Sequence, residues 1–187
     1  MGEKIALGFH TCVDYELVWD TQVVEEQIRA FNIYADELQT DIHVDTERAI
    51  WIACLAHLKE GIGGEMVPDT SEACVDFANH FKYSITLGGT ATRAAIILDG
   101  LGYGSVLQTS CYNEHVKRLM PSRVRVFALV CRKDHDDIYP PRCAAVRKGV
   151  RICANDIDFV TPRENRVMVS RDVDSLNIRF CRRILEK

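Results

Sequence analysis

The spacing of hydrophobic and polar positions changes abruptly at Gly88-Gly89. Before the pair, Tyr83, Ile85 and Leu87 alternate with Ser84 and Thr86, the period-2 pattern of a half-buried strand. After it, Ala91, Ala94, Ala95, Leu98 and Leu101 recur at helical spacing, with Gly102 as a natural stop. The small residues fall in the first turns, where a helix start can approach a sheet closely and present backbone N–H groups to an oxygen-rich ligand. Two readings fit this stretch. Gly88-Gly89 is a tight strand-to-helix turn with alanines that permit close packing, or the glycines let the backbone approach a bound sugar or phosphate.

The rest of the chain continues the alternation of short apolar runs and amphipathic stretches. Lys4 to Phe9 reads as a first buried strand that runs into His10-Thr11-Cys12-Val13-Asp14, and an acidic side chain there stands where open α/β sheets bind ligands. Tyr15 to Asp20 alternates like a strand. Val24, Ile28, Phe31, Ala35 and Leu38 then keep helical spacing behind a capping Asp20 or Thr21. Thr46 to Glu60 is a second helix, with Asp45 as cap and Gly61 as terminator, and its apolar residues run nearly all round, so it is expected to be buried. His57 within that helix reads as a satisfied core histidine.

Gly61 to Glu65 reads as a small-residue loop ending in a carboxylate, and an Asp69-x-x-Glu72 capping pattern opens a helix to about Phe81. Beyond the glycine pair, Gly104 to Thr109 is a strand, Glu114 to Met120 a short helix and Val124 to Cys131 an apolar strand. Arg132 to Arg142 is a polar, proline-bearing loop. Val146 to Val160 holds one or two short strands, and Val167 to Val169 delivers Ser170-Arg171-Asp172 at a strand's carboxyl end.

Composition narrows the function classes. The chain has 187 residues, 47% of them hydrophobic and 27% charged, enough for one sizeable core. A net charge of −4 argues against a nucleic-acid or anionic-membrane surface, and the scattered arginines have apolar neighbours. No apolar run approaches membrane length and the first residues lack signal-peptide character, so a cytoplasmic protein is expected. The eight cysteines contain no C-x-x-C pair, which speaks against structural zinc, and most are expected to be reduced, buried and inert. A thiol-redox function has no cysteine pair to support it.

Four segments carry a family resemblance in order along the chain. GFHTCVD (residues 8–14), GGEMV (63–67), LGGTATRAAIILDGLG (87–102) and TPRENRVMVSRD (161–172) resemble motifs of the ADP-dependent glucokinase and phosphofructokinase family of ribokinase-like sugar kinases. The resemblance implies an α/β, ribokinase-like fold: a mostly parallel sheet flanked by helices, with a partial β lid from strands within residues 12–22 and 124–160. Residues 1–187 would be a single such domain, incomplete, matching the N-terminal half of the family with the C-terminal half of the fold absent.

By the same resemblance, Asp14 and Glu65 would hydrogen-bond sugar hydroxyls, Gly88, Gly89 and Thr90 would line the sugar pocket, and Asn165 and Arg166 would face the nucleotide phosphate. Asp14, Glu65 and the glycine pair are expected to converge on one cleft. His10 and Cys12 stand where the family usually has asparagines, and Thr90 stands where it has another. ADP and Mg2+ are the implied cofactors, and neither a catalytic nor a metal residue is assigned within the chain. The family's G-x-G-D segment, with its catalytic aspartate, does not occur in it, so phosphoryl transfer from ADP to a hexose or hexose phosphate is not expected of the chain alone. Its partners would be a small-molecule sugar and either a second copy or a complementary C-terminal chain. A non-catalytic relative that binds a sugar or another protein is the alternative.

Overall fold

The computed structural model describes residues 5–110, 112–128 and 142–171, together with 180, 182 and 184. Residues 132–141 of the expected loop, residues 129–131 of the expected strand, Asp172 and most of the C-terminal segment lie outside them, while Arg142, expected to end the loop, begins a strand. The chain divides into two compact units. One comprises Met1–Asp14, Ile85–Pro140 and Asp172–Lys187, the other Tyr15–Ser84 and Pro141–Arg171.

The first unit is built on a parallel sheet of order β1-β5-β6, formed by Ile5–Leu7, Ser105–Thr109 and Val124–Ala128. Register pairs Leu7 with Leu107 and Thr109 with Ala128. The central strand β5 is buried along its whole length, as a parallel strand covered on both faces should be. Helix α4 (Thr90–Gly100) packs on this sheet through Thr92 and Ala95, each 0% exposed, with Leu107 and Val124 beneath them. Leu101, expected on the buried side, is instead 67% exposed. It caps the helix in a tight turn closed by Gly102 N donating to Asp99 O, so its side chain leaves the helical face before the sheet is reached. The short helix α5 (Glu114–Leu119) is capped by Asn113, whose side chain accepts from Val116 N.

The second unit holds most of the apolar core. Its sheet has the order β3-β10-β7-β2-β4, with β2 at Cys12–Val18, β3 at Gly64–Met66, β4 at Lys82–Gly88, β7 at Arg142–Val146 and β10 at Asn165–Val169. Pairing is mixed: β3 with β10 and β2 with β7 are parallel, β7 with β10 antiparallel. The chain passes from one unit to the other along β2 and β4. Strand β4 does not alternate in burial as the sequence pattern suggested; its first three residues are exposed and its last two buried.

Helix α2 (Glu47–Glu60) is buried nearly all round, as its apolar pattern required, and Trp51 packs against Phe77 and Phe81. Its cap is Thr46, whose hydroxyl accepts from Ala49 N, and Asp45 is not used. Gly61 ends it in the left-handed region at φ 69°. In the same way α3 (Ser71–Asn79) is capped by Thr70 rather than Asp69, whose carboxylate binds His43 at 2.8 Å.

Helix α1 (Thr21–Ala30) is capped by Asp20 as expected but stops two turns before Leu38. Asn32 takes φ 50°, and the carbonyls at the break are met by side chains: Arg48 donates to Phe31 O and Asn32 O, and Asn155 to Ile28 O and Ile33 O. Asn155 belongs to the turn of the hairpin formed by β8 (Arg151–Ala154) and β9 (Ile157–Val160), which packs on α1. Of the thiols described, Cys54 and Cys74 are buried, Cys12 half-buried and Cys153 exposed. Burial pushes the Cys54 thiol up to about 12.

Candidate functional site

In the first unit, the end of β4 meets the start of β2 at a junction that only glycine allows. A Cβ on Gly88 would overlap both carboxylate oxygens of Asp14 and the sulfur of Cys12. Gly89 has φ +92°, and a Cβ there would run into the carbonyl of His10. The turn is tight, the first of the two readings of the pair, and its tightness brings Asp14 against the residues that open α4. Asp14 is 8% exposed. Its Oδ1 accepts from Cys12 Sγ at 3.3 Å and its Oδ2 from Arg93 Nη2 at 3.2 Å.

Beneath this carboxylate lies a set of hydroxyl contacts that sequence reasoning did not select. Thr11 and Thr92 share a hydrogen bond of 2.7 Å, Thr92 Oγ1 reaches His10 O at 3.4 Å, and Ser110 Oγ binds the backbone of Thr11. They tie the segment before β2 to the first turn of α4. The signal was present in TATR, residues 90–93, where Thr92 and Arg93 stand three and four residues after Gly89, but apolar spacing does not register polar residues on a helix face. Gly89 is the N-cap of α4 and has no side chain to cap it, so Thr90 and Ala91 begin the helix without a side-chain acceptor from that residue.

Glu65 belongs to the second unit. It lies on strand β3, where the sequence suggested a loop, because Gly64 to Met66 pairs with Val167 to Val169 and places Glu65 beside Met168. Its carboxylate accepts from the hydroxyl of Ser170, whose own N–H donates to Met66 O at 2.9 Å. Ser170 is buried while Glu65 is exposed. Behind the strand, a Cβ on Gly64 would collide with the ring of His57, whose Nδ1–H donates to Ala53 O at 2.8 Å. His57 is a core residue, as expected.

Also within this unit is a cleft of about 550 Å³ lined by Gly61, Ile62, Gly63, Arg163, Asn165 and Arg166, among others. Arg163 and Arg166 are among the lining residues, and arginine is the residue type whose guanidinium suits a phosphate. Asn165, also in the lining, is 6% exposed, and its amide is bonded to main-chain groups. Among the described residues no group of three or more His, Cys, Asp or Glu side chains is placed to hold a metal ion. The lining of the cleft combines two arginines with one carboxylate, Glu164.

The structural comparisons decide the fold. Over 97% of this chain, a phosphofructokinase from Pyrococcus horikoshii OT3 with AMP superposes at a TM-score of 0.70 and 19% identity. The chain shares its fold with ADP-dependent phosphofructokinases. A hypothetical ADP-dependent phosphofructokinase from the same organism gives 0.68 at 19% identity over 96% of the chain. The last common ancestor of ADP-dependent phosphofructokinases from Methanosarcinales gives 0.60 at 16% identity over 89%. The chain spans 44%, 44% and 38% of the length of these phosphofructokinases. No family model and no curated protein matches the sequence. Among the described residues no helix is long and apolar enough to cross a membrane.

Proposed function

We propose that this chain carries the sugar-binding part of an ADP-dependent sugar kinase, a cytoplasmic enzyme whose acceptor is a hexose or hexose phosphate. The observation that carries the reading is the Asp14 carboxylate, pressed against Gly88 at the start of α4 and held from both sides by Cys12 and Arg93. An ionised carboxylate so fixed accepts hydroxyl donors in set directions, which is the demand a polyol makes. Gly88, Gly89 and Thr90 allow the ligand to approach the backbone. Glu65, oriented by Ser170, adds a second carboxylate for sugar hydroxyls. A single domain built over residues 1–187, with lid strands within 12–22 and 124–160, goes with this reading.

Arg166, with Asn165 beside it, is assigned to the nucleotide phosphate, where a guanidinium neutralises charge that develops as the phosphoryl group moves. ADP supplies that phosphoryl group when bound. Positioning and charge neutralisation provide most of the acceleration in such chemistry, and the G-x-G-D segment that would complete them comes from further sequence or a complementary chain. The coverage of 44% of the neighbours' length supports that division.

Hydrogen exchange tests the reading. Adding fructose 6-phosphate or glucose should slow exchange at the amides of 88–92 and in the first residues of β2, while inorganic phosphate alone should not. Unchanged exchange at these amides with every sugar would remove the sugar site.

A further inference from the structure

The side chain of Asn165 makes three hydrogen bonds, all to backbone. Its Nδ2 donates to His57 O at 3.0 Å and to Ile62 O at 2.7 Å, and its Oδ1 accepts from Arg166 N at 2.8 Å. An amide nitrogen has two hydrogens, and both are committed. What remains is an oxygen, an acceptor that offers nothing to a phosphate. The residue next to the arginine therefore cannot share its task directly.

The partners of Asn165 show another role. His57 lies in the last turn of α2, where carbonyls lack intrahelical donors and the helix presents its negative end. Gly61 N and Ile62 N meet the same carbonyl region, and Asn165 completes the set. A negative helix end projecting into the cleft would oppose an anion; here it is met by donors from the chain itself. The same amide grips the backbone N–H of Arg166, whose carbonyl lies so near Gly63 that a Cβ there would come within 3.2 Å. The end of α2, the glycine segment and the start of β10 are thus fastened at one side chain.

We infer that Asn165 is a positioning residue for Arg166: it touches no ligand, but sets the backbone from which the guanidinium reaches a phosphate-bearing ligand and quenches the helix end behind it. This rests on the assignment of Arg166 to the nucleotide phosphate.

Calorimetric titration of ADP into the full chain tests it, with Arg166→Gln, Asn165→Ala, the double variant and Gly63→Ala. Arg166→Gln and Asn165→Ala should each weaken binding by about five- to tenfold, and the double variant should be no weaker than Arg166→Gln, because one residue acts through the other. Gly63→Ala, which disturbs the junction while keeping the amide, should weaken binding by about two- to threefold and lose that effect in the Arg166→Gln background. It supplies the same cycle if Asn165→Ala does not fold. Additive losses in the double variant would mean that Asn165 contacts the ligand itself. A lowered melting temperature with unchanged ADP affinity would leave it a scaffold residue only. If the wild-type chain binds no ADP, or Arg166→Gln binds it equally well, the phosphate assignment fails and this inference with it.

Discussion

Gly88 and Gly100 are both glycines in or beside α4, yet their surroundings demand opposite outcomes on substitution. A methyl group at Gly88 displaces Asp14 and Cys12, whereas nothing lies within 4 Å of the position a Cβ would take on Gly100. Gly88→Ala should destabilise the protein by about 1–3 kcal/mol, the usual range for overpacking, and abolish sugar binding. Gly100→Ala, in a helical position, should stabilise it by about 0.5–1 kcal/mol with binding unchanged. Urea unfolding and a sugar titration on both variants measure this. Equal stability changes would show that the Gly88 junction relaxes freely.

The glycines, Asp14 and Arg166 were singled out by the family resemblance, whose motifs can be recognised in the sequence without a fold. Thr11, Thr92 and Arg93 were not, since a threonine buried against a neighbouring hydroxyl looks, in sequence, like any polar helix residue. Asn165 was singled out beside Arg166 as a position, without a sign of the backbone contacts its side chain makes. Only its three backbone partners, up to 108 residues away, reveal what its amide does.

Among the described residues, the sequence located the five α-helices and most strands, but it read β3 as part of a loop, left most of β7 unassigned, and did not show where each element ends. Helix α1 illustrates the reason. Its apolar spacing continues through Ala35 and Leu38, and the stop is imposed by Asn32 in the left-handed region and by Arg48 and Asn155, which arrive from distant elements to take the broken carbonyls. Capping showed a similar limit. Asp45 and Asp69 precede the true caps Thr46 and Thr70 by one residue, and the acid that looks best in sequence is displaced by a hydroxyl with the right backbone geometry.

The α1 to α2 connection also carries a pH dependence. Arg48 donates twice to Glu37, and this bond together with the Tyr34 N–H holds the Glu37 carboxyl below its ordinary value of 4.5. A lowered folded-state value means the contribution is complete above 4.5 and is lost as pH falls through the folded value. The stability gap between wild type and Glu37→Gln should therefore be widest at neutral pH and close on acidification. A gap that is constant with pH, followed by denaturant melts across the acid range, would show that the pair is not formed in solution.

For the whole molecule, short apolar runs separated by amphipathic stretches pointed to an α/β sheet, and the family resemblance implied the mostly parallel pairing that the first unit shows. The mixed pairing of the second sheet was not legible, because β7 inserts between β2 and β10 from more than a hundred residues beyond β2, and spacing along the chain carries no record of such pairing. The family resemblance supplied the fold that pattern alone left open. The candidate residues follow the same division: Asp14 and Gly88 are brought together in one unit, Glu65 and Arg166 belong to the other, and the sugar-binding role proposed for each carboxylate is a separate assignment. Calorimetric titration of the purified chain with fructose 6-phosphate and with glucose, against Asp14→Asn and Glu65→Gln, measures both assignments directly. Saturable binding of one sugar by the wild type, reduced by about tenfold or more in Asp14→Asn and reduced also in Glu65→Gln, is the predicted result. Binding of neither sugar, or equal affinity in wild type and Asp14→Asn, would contradict it.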